Sequence, residues 1–168
     1  MAHEADAPAQ LQLPLLVVSP VDVGRLIRDV EALDNQLMQF DLKGQTHEAK
    51  MPKTSLLLEA IIDSNKLDLL VPAQRKQLLD FLAQIRAHAP VLHISFSADP
   101  AASFIEKLMT WLRQEISPQV LLTVGLQPNI GAGCLVRSTN KFYDFSLRQN
   151  FTKNRELLMA SFKEVVKT

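Results

Sequence analysis

Val91-Leu92-His93-Ile94-Ser95-Phe96-Ser97 is where the chain changes its period, and that change sets the fold class. Leu92, Ile94 and Phe96 alternate with His93, Ser95 and Ser97, the two-residue repeat of a strand. Pro90 separates this stretch from helical patterns upstream, because the residue before a proline disfavours helix. Working back from Pro90, a helix begins near Pro72 and carries Leu78, Leu79, Leu82 and Ile85. Before it, Thr54 or Ser55 caps a shorter helix through Leu56, Leu57, Ile61 and Ile62. That helix stops near Asn65, a residue type that tolerates the left-handed C-terminal position. Leu42 to Met51 has no apolar period and reads as a loop. Ser19-Pro20-Val21-Asp22 is a helix start: Ser19 caps, Pro20 suits the first helical position, and Asp22 completes a capping box. Val23, Leu26, Ile27, Val30, Leu33 and Leu37 then recur at helical spacing, so a helix is expected from about 20 to 40. Residues 1–18 read as a flexible tail.

Downstream of the strand, Asp99-Pro100 opens a helix with Asp99 as its expected cap. Phe104, Leu108, Leu112 and Ile116 form the expected inner stripe, and Trp111 and the phenylalanines are read as mostly core. Val120, Leu122 and Val124 mark a second strand. Gln127-Pro128-Asn129-Ile130-Gly131-Ala132-Gly133 is a turn-rich connector. Cys134 to Arg137 and Phe142 to Phe145 are short strands around the hairpin turn Ser138-Thr139-Asn140-Lys141. A last helix is expected from about Arg148 to Val166, with Phe151, Leu158, Phe162 and Val165 on its apolar line. The expected class is α+β: a small helical unit, 19–90, precedes a small mixed-sheet domain, 91–168, in the order β-α-β-β-β-α.

The chain has 168 residues, 47% of them hydrophobic, which is enough for a core. Its 18 basic and 18 acidic side chains cancel, which argues against a dedicated nucleic-acid binder. They are unevenly spread: five basic and ten acidic up to Asn65, thirteen and eight thereafter. That asymmetry fits two faces for different partners, or two solvated halves that happen to differ. One cysteine excludes an internal disulfide and a cysteine-rich zinc site. Leu11 to Val18 is too short to span a bilayer, and the acidic start does not read as a signal peptide. A soluble, intracellular protein is expected.

Catalytic chemistry finds no set of residues. His3, His47, His88 and His93 have no metal-ligand spacing. Cys134 follows Gly133 in an apolar strand and reads as a structural thiol, with no base in sequence to activate it. Gly131-Ala132-Gly133 precedes a strand, whereas a phosphate loop must precede a helix. Nothing in the spacing pairs Asp99, Asp144 or Glu156 as acid and base. No catalytic residue, cofactor or metal is therefore assigned, and an interaction or structural role is favoured.

Ile130-Gly131-Ala132-Gly133-Cys134-Leu135-Val136-Arg137 and Asn140-Lys141-Phe142-Tyr143-Asp144-Phe145-Ser146-Leu147-Arg148 resemble the delta subunit of F-type ATP synthase, the oligomycin-sensitivity-conferring family. The shared pattern is a glycine pair, a strand, a turn, a strand and Asp-x-Ser-x-Arg before the last helix. It is carried here by Gly131, Gly133, Arg137, Asp144, Ser146 and Arg148. Leu57 to Leu70, with Asn65-Lys66-Leu67, and Val91 to Ala98 leading into Asp99-Pro100 are similar to further family segments in the same order. The resemblance covers roughly residues 53–160. Ala132 separates the glycines, Phe145 stands where the family has glycine, and the helical unit is shorter than the family's six-helix bundle.

The resemblance implies a non-catalytic stator part that does not hydrolyse ATP. It would link head subunit alpha to peripheral-stalk subunit b during ion-coupled ATP synthesis, reaching the inner face of the cell membrane only through the complex. The expected stalk contact is the last helix, where Leu157 and Met159 lie off the apolar stripe; five basic and two acidic residues follow from Arg148 onward. The alternatives are an unrelated protein-binding adaptor and a small enzyme using Cys134 or Asp144.

Overall fold

The computed structural model describes residues 11–42 and 54–147, together with Thr152, Asn154, Arg155, Glu156 and Met159. Its elements run α1 (Pro20–Leu42), α2 (Leu56–Asn65), α3 (Pro72–His88), β1 (Val91–Phe96), α4 (Ala102–Glu115), β2 (Leu121–Leu126), a 3-10 turn (Pro128–Ile130), β3 (Cys134–Arg137) and β4 (Phe142–Asp144). This is an α+β fold. The contacts divide into two compact units, one of residues 1–90 and 109–121, the other of 91–108 and 122–168. The helix expected from Arg148 to Val166 lies, apart from those few residues, outside the described part.

In the helical unit, α1 buries Val23, Leu26, Val30, Leu33 and Leu37, spaced alternately three and four residues apart. That stripe packs against α3 and α2. Its start is the reciprocal box expected from sequence: Asp22 N–H donates to Ser19 Oγ at 3.2 Å, and Ser19 N–H donates to Asp22 Oδ2 at 2.9 Å. Asp22→Ala should lower stability by about 1 kcal/mol, the usual worth of such a cap. Urea unfolding checks it, and a parent-like midpoint would dismiss the box as a contributor.

Ser55 caps α2, accepting from Leu58 N–H at 3.3 Å, while its hydroxyl donates to Asp29 Oδ2 of α1 at 2.6 Å. At the other end the left-handed residue is Lys66, not Asn65, with φ 51° and ψ 45°. The reason is the Asn65 side chain, which stays helical to make three bonds. Its amide donates to Ile61 O and Gln12 O, both at 2.9 Å, and its Oδ1 accepts from Gln12 N–H at 2.6 Å.

Those bonds also correct the reading of residues 1–18 as a flexible tail. Residues 11–18 are held: Leu13 and Val17 are buried, and Arg113 donates to Leu13 O at 2.8 Å and to Val17 O at 2.6 Å. The sequence hid this because irregular backbone satisfied by distant side chains has no period. Burial lowers the Arg113 guanidinium pKa below its ordinary value.

In the sheet unit the strand order is β2-β1-β3-β4. Leu121 N–H donates to Pro90 O and Gln127 N–H to Phe96 O, so both chains advance together and β1 and β2 run parallel. β3 pairs antiparallel with both β1 and β4, which makes the sheet mixed. Ser138 N–H donates to Lys141 O and closes the expected four-residue turn.

The helix α4 departs from expectation twice. It starts at Ala102 on the Ala101 carbonyl, not on Asp99, which is exposed; a residue before proline is pushed to extended backbone. Its buried side chains are Met109 and Leu112, whereas Trp111, Ile116 and Phe104 are largely exposed. More apolar residues stand on this helix than one face can hold. Phe104 still meets Phe96 edge to face, with ring centroids 5.8 Å apart, so the first turn of α4 touches β1 on its Phe96 side.

Candidate functional site

The segment Gly131 to Leu147 builds one local structure from residues far apart in the motif. Gly131 ends the 3-10 turn with φ 78°, and its N–H donates to Pro128 O. Gly133 has φ 93°, and a Cβ built on it would strike the backbone carbonyl oxygen of Phe145 and come within 3.0 Å of Ser146 Cα. Glycine is therefore required there twice over, by conformation and by space. Around it, Cys134 O accepts from Phe145 N–H and Ala132 O from Leu147 N–H, both at 2.9 Å. The chain after β4 thus continues alongside β3 beyond the regular ladder.

Asp144 Oδ1 accepts from the Ser146 N–H at 2.8 Å, an Asx-type turn that sets the exit from the sheet. Ser146 is 4% exposed. Gly133, Asp144 and Ser146 are thereby brought together, while Gly131 and Arg137 stand near opposite ends of β3. Arg148 and Leu157 lie outside the described residues, and Met159 is exposed.

This stretch is also where the reading of phenylalanines as core fails. Phe142 is 62% exposed and Phe145 60%, and Tyr143 and Leu147 are about half exposed. Tyr143 and Phe145 stack with centroids 6.1 Å apart and planes 15° from parallel. β4 is an edge strand, so its side chains have a neighbouring strand on one side only. Exposed aromatic side chains grouped on one edge are characteristic of recognition surfaces. Sequence reasoning missed this patch because alternation shows which side chains share a face, not whether anything covers it.

Nucleophilic chemistry has little support in the geometry. Cys134 is half-buried, and burial raises its thiol pKa, the opposite of what an attacking thiolate needs. Among the described residues, no three His, Cys, Asp or Glu side chains form a group able to hold a metal ion. Among them, too, no helix is long and apolar enough to cross a membrane. No protein-family model matches this chain, and no curated protein matches it either.

Proposed function

We propose that the chain is a non-catalytic connector of the ATP synthase stator, joining head subunit alpha to the peripheral stalk on the cytoplasmic side of the membrane. The observation that carries the reading is the exposed aromatic edge, Tyr143, Phe145 and Leu147, in the segment that resembles the delta subunit. A connector that resists torque needs binding area on rigid elements, not shifted pKa values. This edge is pinned by a backbone ladder and by Gly133. An amphipathic stalk helix presenting apolar anchors suits such a patch.

The test is binding of the full chain to a purified fragment of subunit b, with co-purification of stalk and head subunits from cells. Phe145→Asp and Met159→Asp are both at exposed side chains, so the fold should hold; a melting curve verifies that. A loss of tenfold or more in affinity for Phe145→Asp is expected, since a buried aromatic anchor commonly contributes that much. Failure to bind the fragment, with no ATP synthase subunit co-purifying, would reject the stator reading and favour the unrelated adaptor.

A further inference from the structure

The face of the sheet turned away from Phe104 carries a second feature. Register places His93 of β1 opposite Arg137 of β3, and Arg137 opposite Phe142 of β4, so an imidazole, a guanidinium and a phenyl ring stand in one row across three strands. This row lies in a depression of about 750 Å³ whose lining also includes the hydroxyl residues Ser95 and Thr139 and the amide of Gln127. Gly125 of β2 lies beside Ser95, where a Cβ would come within 3.1 Å of its Oγ, so β2 puts no side chain over that hydroxyl. Among the described residues, no carboxylate lines the depression. Asp144 stands one row further along, where it accepts from the Ser146 N–H. Among the described residues, neither the His93 nor the Arg137 side chain has an ion-pair or hydrogen-bond partner.

We propose that this depression binds a phosphomonoester, with the phosphate on Arg137 and His93 and the hydroxyls around them, and an apolar or aromatic body against Phe142. A guanidinium fork alone would be matched by a planar carboxylate. A fork, a ring N–H and hydroxyls on both sides supply donors in more directions than two coplanar oxygens use, and a tetrahedral phosphate takes them. The phenyl ring, exposed at the end of the same row, offers an apolar wall to whatever carries the phosphate. Phe142 is on the opposite face of β4 from Tyr143 and Phe145, so this site shares no side chain with the proposed stalk contact, and its binding assay reads apart from the stator one.

The experiment titrates the full chain with phenyl phosphate and with inorganic phosphate, followed by amide chemical shifts. Saturable binding of phenyl phosphate is expected, with shifts centred on Ser95, Arg137 and Thr139, and weaker binding of inorganic phosphate. Arg137→Gln should weaken both ligands about tenfold or more, the scale of one charge-assisted hydrogen-bond pair. Phe142→Ala should weaken phenyl phosphate toward inorganic phosphate and leave the latter unchanged. His93, Arg137 and Phe142 are all exposed, so the variants should melt like the parent. Shifts that never saturate, shifts centred on another surface, or parent-like affinity in a folded Arg137→Gln chain would each overturn the site.

Discussion

Gly133→Ala should unfold at markedly lower urea than the parent, with a loss of about 2–6 kcal/mol. The first part is conformational: φ 93° strains an L-residue by roughly 1–3 kcal/mol. The second is steric, because the new methyl meets the Phe145 carbonyl and the Ser146 backbone; forcing rigid backbone aside adds about 1–3 kcal/mol. Gly131→Ala is the internal control. Its φ of 78° brings the same kind of strain, but its Cβ meets nothing within 4 Å, so it should lose only the first part. Equal midpoints for the two variants would mean that the close approach at Gly133 yields easily and does not fix the edge.

Arg75→Met should be the more damaging change in the helical unit, at about 2–4 kcal/mol by denaturant unfolding. Arg75 is buried on α3 and serves three acceptors. Its Nε reaches Asp34 of α1 at 2.5 Å, and Nη1 donates to Leu69 O at 2.8 Å and Leu70 O at 3.0 Å. Methionine fills the stem but leaves two carbonyls short of a donor, each costing about 1 kcal/mol or more if buried. The carboxylate contributes less, because the Asp34 side chain is 38% exposed and water screens the pair. Asp34→Asn should therefore cost about 1 kcal/mol at most. If Asp34→Asn proves as damaging as Arg75→Met, the ion pair and not the carbonyl bonds holds α1 to α3.

The elements that the sequence made legible are those whose signals are local. The box at Ser19 and Asp22, the cap at Ser55, the proline at the head of α3 and the alternation in β1 each act within a few residues, and each is found. The hairpin turn 138–141 is likewise local. What stayed hidden depends on distant partners. Asn65 does end α2, but the left-handed position falls to Lys66 while the Asn65 side chain is occupied by Gln12. Arg113, which no local pattern singles out, holds Leu13 and Val17. On α4 the expected stripe holds at Leu112, but tertiary packing buries Met109 beside it and leaves Phe104 and Ile116 largely exposed. The candidate site divides the same way. Gly133, Asp144 and Ser146 were singled out as motif members, and the structure supplies the reason for each. The row His93–Arg137–Phe142 needs the register of two strand pairs, which no single strand pattern contains.

The division of α4 between the two compact units has a practical consequence. The backbone passes from one unit to the other at three places: after Pro90, after Leu108 and after Leu121. Neither unit is a contiguous stretch, so a fragment ending at Pro90 would lack Met109, Leu112, Val120 and Leu121, all buried in the whole chain. Such a fragment should express as an incomplete core, and a protease cut in the 90–91 link alone should leave both units joined. The chain is woven between the units, and after a cut at that link residues 1–90 would stay attached only through their packing on residues 109–121.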